Sequence, residues 1–299
     1  MKKRNLFASL AISSMLTLSS IVPTFAAEQS TYVAFGGGLN QSQIEQVRDE
    51  FGISANDAYE TTVTGDDVAR YLSINSYSTS ILISNVMVKK DTGNGVKVNI
   101  LTPNNITQIT SNQYANTAIT AGVSNCEIDV ASLSQATGES ALTGVYKALE
   151  LSGETLDTQR TQVAQEELET TNEIAQNNAS NSDFDSSKLD QAIIDIKQQL
   201  AEIKQNQGNA ATAEQVEQIV NDALKKYNLS DLISQDDINK LIDFASRYQN
   251  SGAVDSQEVL NQLNKLKGQL GGLVDKAKAN GWFDQLKSFV SQLINSFIN

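Results

Sequence analysis

The apolar periodicity of this 299-residue chain changes near residue 155, and that change constrains its fold more than any single motif. Before it, short apolar runs alternate with capped helical stretches. After it, apolar residues recur at helical spacing. Residues 31–35 read as a strand, Gly36-Gly37-Gly38 as a turn, and a helix follows with Asn40 as N-cap and Gln43 as its capping-box partner. Gly52 ends that helix, whose apolar face is Ile44, Val47 and Phe51. Residues 58–63 form a further strand candidate and 66–72 a short helix. Residues 80–89 and 96–101 flank Asp91-Thr92-Gly93-Asn94-Gly95, whose Asn-Gly pair signals a β-hairpin. A helix near 111–121, a strand around Cys126 and a helix near 140–151 complete the set. The expectation is an α/β or α+β N-terminal domain with a β-hairpin over residues 31–153, folding on its own core.

A different texture follows. Residues 155–182 read as a charged, Gln-rich helix and a polar linker, and residues 183–299 as an all-α helical region, a bundle or helical hairpins. Leu189, Ile193, Ile196, Leu200 and Ile203 repeat at heptad spacing, a seam that needs partner helices. Thr212 with Gln215, Ser234 with Asp237 and Asp255 with Glu258 each open a further helix. Gly271-Gly272 is a candidate kink.

Composition excludes several chemistries. The chain has no histidine, which removes Ser-His-Asp and Cys-His catalysis and His-bearing zinc sites. Its one cysteine, Cys126, cannot form an internal disulfide and sits in an alternating stretch as a buried hydrophobe would. With 22 basic and 35 acidic residues the formal charge is −13. Loss of Lys2, Lys3 and Arg4 with a leader leaves 19 against 35, or −16. Such a surface does not suit nucleic acid. One tryptophan and an aromatic share of 6% do not suit a carbohydrate groove lined with stacked rings.

Val63-Thr64, Tyr114-Ala115-Asn116, Thr120-Ala121-Gly122-Val123, Ala141-Leu142-Thr143-Gly144 and Gln165-Glu166-Glu167-Leu168 occur in an order that resembles the YpuA-like secreted proteins of Gram-positive bacteria. The resemblance spans roughly residues 30–175 without a large insertion. It implies a secreted protein with one α/β domain and a helical continuation. The family is a domain of unknown function and lends no catalytic or binding residues. Gly36-Gly37-Gly38 departs from the more polar turn expected there.

Four local motifs each have a plainer reading. The strand, glycines and helix at 31–41 could cradle phosphate, but no Lys-Ser/Thr follows and no GxGxxG exists, so a turn is expected. Ser140 lies in Gly138-Glu139-Ser140-Ala141-Leu142, which lacks the closing glycine of a nucleophile elbow, and reads as a helix start. Asp183 and Asp185 have calcium-loop spacing, but Lys188 stands where the loop needs Gly and Ile194 where it needs Glu. Asp66-Asp67 and Asp236-Asp237 fall in first helical turns, where the helix dipole favours negative charge.

The two ends carry the strongest signals. Lys2-Lys3-Arg4, an apolar run from Leu6 to Val22 and Thr24-Phe25-Ala26 form a signal peptide over residues 1–26, with cleavage expected after Ala26 or Ala27. At the other end Trp282, Phe283, Leu286, Phe289, Val290, Leu293, Ile294 and Phe297 share one helical face. Five lysines against Asp275 and Asp284 give residues 259–299 a net charge of +3. That face either closes a bundle or contacts a membrane surface peripherally.

The functional expectation is a secreted or cell-envelope-associated, non-enzymatic binding protein. Its partner would be an unknown protein or envelope component, with no nucleic acid, no cofactor, no metal and no assigned catalytic residue. The alternatives are a secreted, histidine-independent hydrolase working on carboxylates, and a protein that binds the membrane surface through its C-terminal helix.

Overall fold

The computed structural model describes residues 30–72, 77–90, 93 and 95–279. The expected signal peptide over residues 1–26 and the expected C-terminal face from Trp282 to Phe297 lie outside the described residues.

Five strands form one mixed sheet: β1 (Thr31–Gly36), β2 (Tyr59–Val63), β3 (Ser84–Lys90), β4 (Lys97–Ile100) and β5 (Cys126–Ser132), in the order β2-β1-β3-β5-β4. β1 runs parallel to β2 and antiparallel to β3, while β5 runs antiparallel to β3 and parallel to β4. The strands expected on either side of the Asn-Gly turn both form, but they do not pair as a hairpin. β5 lies between them. Its Ile128 and Val130 sit opposite Val88 and Val86 on one side and Val98 and Ile100 on the other, so it is apolar enough to be a central strand. Gly93 and Gly95 both have positive φ, which glycine adopts without strain.

Alternation along β1 separates the two faces of the sheet. Val33 and Phe35 meet Val47 and Phe51 of α1 (Gln41–Phe51), with Met87 and Ala131 from the neighbouring strands. The capping box at Asn40 and Gln43 starts α1 and a left-handed Gly52 ends it, both as the sequence indicates. Tyr32 and Ala34 point to the opposite face. There α2 (Gly65–Leu72), α3 (Ser111–Ala121) and α4 (Glu139–Leu151) supply Val68, Tyr114, Ile119, Leu142 and Val145.

Among the described residues five helices follow: α5 (Thr158–Asn177), α6 (Ser186–Gln207), α7 (Ala213–Lys226), α8 (Gln235–Asn250) and α9 (Gln257–Ala279). The seam Leu189, Ile193, Ile196 and Leu200 is buried against Val216, Val220 and Leu224 of α7 and Leu241, Phe244 and Tyr248 of α8. Thr212 with Gln215 caps α7 as expected, and the Ser234 side chain caps α8. The start of α9 differs: Ser256, not Asp255, accepts the Val259 N–H. α9 continues through Gly271-Gly272 as one helix.

The packing does not stop at residue 153. Ala164 and Leu168 of α5, Ile194 of α6 and Val259, Leu263 and Leu266 of α9 belong to the same apolar cluster as the sheet's α3–α4 face. α3 is therefore covered on its outer side by the later helices. Gln262 of α9 ties this together, accepting the Val96 N–H at 3.2 Å.

Candidate functional site

α5 is the helix on which the two regions meet, and its faces differ. Asp157 caps it, with Oδ1 accepting the N–H groups of Gln159 and Arg160 at 2.8 and 3.1 Å. Ala164, Glu167, Leu168, Thr171 and Ile174 recur at helical spacing and are all buried. Gln165, Glu169, Asn172, Glu173 and Gln176 form the adjoining stripe and line a groove of about 250 Å³.

The far wall of that groove is Gln108 and Ile109, before α3, and Glu139, at the start of α4. Gln108 Oε1 accepts from Asn172 Nδ2 and Gln176 Nε2, both at 3.3 Å, which pins the wall to α5. Gln165 Nε2 donates to Glu169 Oε1 at 2.8 Å. Gln165 is 5% exposed, and its carbonyl oxygen has no hydrogen-bond donor among the described residues. Burial, and then the negative charge of Glu169, push the Glu139 carboxyl above its ordinary range, against a bond from Tyr77. Glu173 pairs with Lys240 at 2.5 Å, whereas Glu139 and Glu169 have no basic partner among the described residues. Leu168 and Ile109, both buried, give the groove apolar walls.

On the buried face of α5 lies an ion pair. Lys197 of α6 is 0% exposed and donates to both carboxylate oxygens of Glu167, at 3.0 and 3.1 Å. It also donates to Thr120 Oγ1 at 2.8 Å and to the Asn116 side chain, both on α3. Thr120 in turn donates to Glu167 at 2.5 Å. Burial lowers the Lys197 pKa, and Glu167 opposes that. Asp190, two turns earlier on α6, is pushed up to about 7 by burial and by the charges of Glu167 and Asp185, with Asn112 and Lys197 opposing. The hydroxyls of Tyr146 and Tyr248 are buried without a partner among the described residues. A charge pair held by this many bonds joins α3, α5 and α6, and sliding any one of them strands a buried charge. Enclosed as it is, the pair supports the groove and does not meet a ligand.

The motifs noted in the sequence fall elsewhere. The N–H groups of Gly37 and Gly38 go to the carbonyls of Val63 and Leu82, both at 2.9 Å, which leaves none for a phosphate. A Cβ at Gly36 would stand 2.3 Å from the Leu82 carbonyl oxygen, so close backbone approach demands glycine there. Ser140 is buried and hydrogen-bonded to Ser84. Asp185 caps α6. Asp67 pairs with Lys147 while Asp66 is exposed, and Asp237 is buried and bonded to Asn177, so neither aspartate pair works as a unit. Cys126 begins β5, buried, with its thiol pushed up to about 12 by burial and then by Glu154. Among the described residues no three Asp, Glu, Cys or His groups are placed to hold a metal, and no helix is long and apolar enough to cross a membrane.

Sequence reading missed the groove and the ion pair. A signal was available: Asn116, Thr120, Glu167 and Gln165 all lie in the stretches by which the chain resembles its family. In class the protein is a mixed-sheet α/β unit continued by a helical array, with a polar groove where the two join. The chain belongs to the DUF1002 family of proteins of unknown function, which it matches over residues 35–266. It is 28% identical over 280 residues to the uncharacterized protein YpuA of Bacillus subtilis (strain 168), covering 92% of this chain and 88% of that one. No solved structure matches.

Proposed function

We propose that this is a non-enzymatic, secreted or envelope-associated binding protein that takes a small polar ligand, or a segment of a polymer, in the groove along α5. The carrying observation is the pairing of the groove with a rigid backing. Most of its amides and carboxylates stand on a helix whose buried face is fixed by the Lys197–Glu167 pair. Preorganised polar groups in a partly apolar groove are what a small-molecule site requires. The leader motif supports export, and the amphipathic face from Trp282 to Phe297 supports a second contact with an envelope partner or a membrane surface.

Capture of envelope material by the protein without its leader tests this reading. Glu169→Arg reverses a groove charge at a site where α5 stays intact. Capture by the wild type that is lost in this variant supports the groove as the site. Capture that is unchanged places binding elsewhere and removes the groove from the reading.

One observation favours a hydrolase as the second reading. Glu139, with its raised pKa, and Glu169 line the same groove, as the acid and the charged partner of a carboxylate pair would. A screen against wall polymers separates the two: turnover by the wild type, abolished in Glu139→Gln, would establish the enzyme.

A further inference from the structure

Three features of the groove describe its ligand, given that the groove is the binding site. The Gln165 carbonyl is buried and without a donor. Its identity as the oxygen follows from the Nε2 bond to Glu169, because the flipped amide would turn an oxygen toward a carboxylate. Glu139 and Glu169 border it with no cation between them among the described residues, so the charge of the groove favours a cationic ligand over an anionic one. Finally, Leu168 and Ile109 offer an apolar bed beside these acceptors.

We propose that the groove binds a primary ammonium group on an alkyl stem, the chemistry shared by a lysine side chain and a free diamine. Its three N–H donors match three acceptors: Gln165 Oε1, the Glu139 carboxylate and Glu169 Oε2, since Glu169 Oε1 already serves Gln165. Gln165 lines the groove, and the Glu169 bond on its nitrogen side leaves the carbonyl as the amide's open acceptor. The methylene stem lies against Leu168 and Ile109. A bare divalent ion fits poorly, because the groove is wider than one ion and no three acidic groups among the described residues converge.

Binding of a cation also relieves the crowding of Glu139 by Glu169. Tyr77, Tyr114 and Glu169 are the titratable groups that face Glu139, and none of them is basic. The bound cation favours the charged carboxylate, so affinity is expected to rise with pH through the Glu139 titration and to release a proton on binding below it.

Titration calorimetry on the chain without its leader, at about pH 8 and low ionic strength, tests this with cadaverine and Nα-acetyl-lysine amide. Tetramethylammonium serves as a cation without N–H donors and pentanol as a neutral stem. Both amines are expected to bind, and Gln165→Leu and Glu169→Gln each to weaken them by roughly tenfold or more. The tighter of the two amines identifies the source as peptide lysine or free diamine. If Gln165→Leu does not fold, the wild-type contrast between the amines and tetramethylammonium decides. Equal binding of tetramethylammonium, or amine binding unchanged in both variants, would show diffuse charge attraction and overturn the proposal. Binding of pentanol alone, or of no probe, overturns it too. Envelope capture that still depends on Glu169 would leave the groove reading standing when the ammonium proposal falls.

Discussion

The two faces of the sheet are closed in opposite ways. On the α1 side the closure is mainly apolar: Val33, Phe35 and Met87 from the strands meet Val47 and Phe51 from one helix, with the Arg48–Glu60 ion pair at its edge. On the α3–α4 side the closure continues outward through α5, α6 and α9, and at its depth stand Glu167, Lys197 and Asp190. An apolar face can be covered by any helix with the right stripe, and small errors of register cost little. A buried charge pair admits only one arrangement of the three helices that supply it. The polar side is thus where position is specified most closely, and the candidate groove lies on the same helix, one face away.

The largest test of this contrast is truncation. Residues 30–153 expressed alone retain the α1 side whole but lose every residue that covers the outside of α3, including Leu168, Ile194, Val259 and Leu263. Each large side chain contributes about 1.5–3 kcal/mol on burial. A fragment without a cooperative thermal transition is expected. A sharp transition near that of the whole chain would show that the α3 face does not need the later helices.

Lys197→Met comes next. It leaves the Glu167 carboxylate buried and unpaired, at about 3–5 kcal/mol in urea unfolding. Adding Glu167→Gln should recover a large part of that loss, because the stranded charge and not the missing attraction sets the penalty. A loss that is the same with and without Glu167→Gln would mean that the lysine stem, not its charge, matters.

Asp190 gives a pH-dependent effect of similar size. Its carboxyl titrates near 7 in the folded chain and in the usual acidic range when unfolded. Between those values the folded state holds a proton that the unfolded state has lost, so this group's contribution falls progressively from the acidic range up to about pH 7 and levels off above it. Asp190→Asn keeps the neutral form. It should match the wild type in acid and exceed it at about pH 8, by on the order of 4 kcal/mol. Equal stability at both ends of that range would place a charged aspartate there comfortably. At the small end, Thr212→Ala removes the α7 cap and costs about 1 kcal/mol without touching the groove.

What could be read in the sequence was local. Asn40 with Gln43, Thr212 with Gln215 and the left-handed Gly52 are decided within a few residues of chain, and all three stand where expected. The seam from Leu189 to Leu200 was legible because one helix face carries it. Strand order was not: an Asn-Gly turn says that the chain reverses, but only Ile128 and Val130, some thirty residues on, decide what lies between β3 and β4. The candidate site failed for the same reason. In Gln165-Glu166-Glu167 nothing marks the middle residue as partly exposed and the last as buried, except that Glu167 falls on the stripe of Ala164, Leu168 and Thr171. Lys197 likewise hides beside Ile196 in an otherwise apolar face. Their partnership is a property of two helices and a third, α3, that receives them.

Scanning calorimetry of residues 27–299, beside Lys197→Met, measures most directly whether that partnership makes one unit of the two regions. A single transition is expected, with calorimetric and van't Hoff enthalpies in agreement, and Lys197→Met should move it as a whole to lower temperature. Two separate transitions in the wild type, only one of them shifted by Lys197→Met, would contradict it.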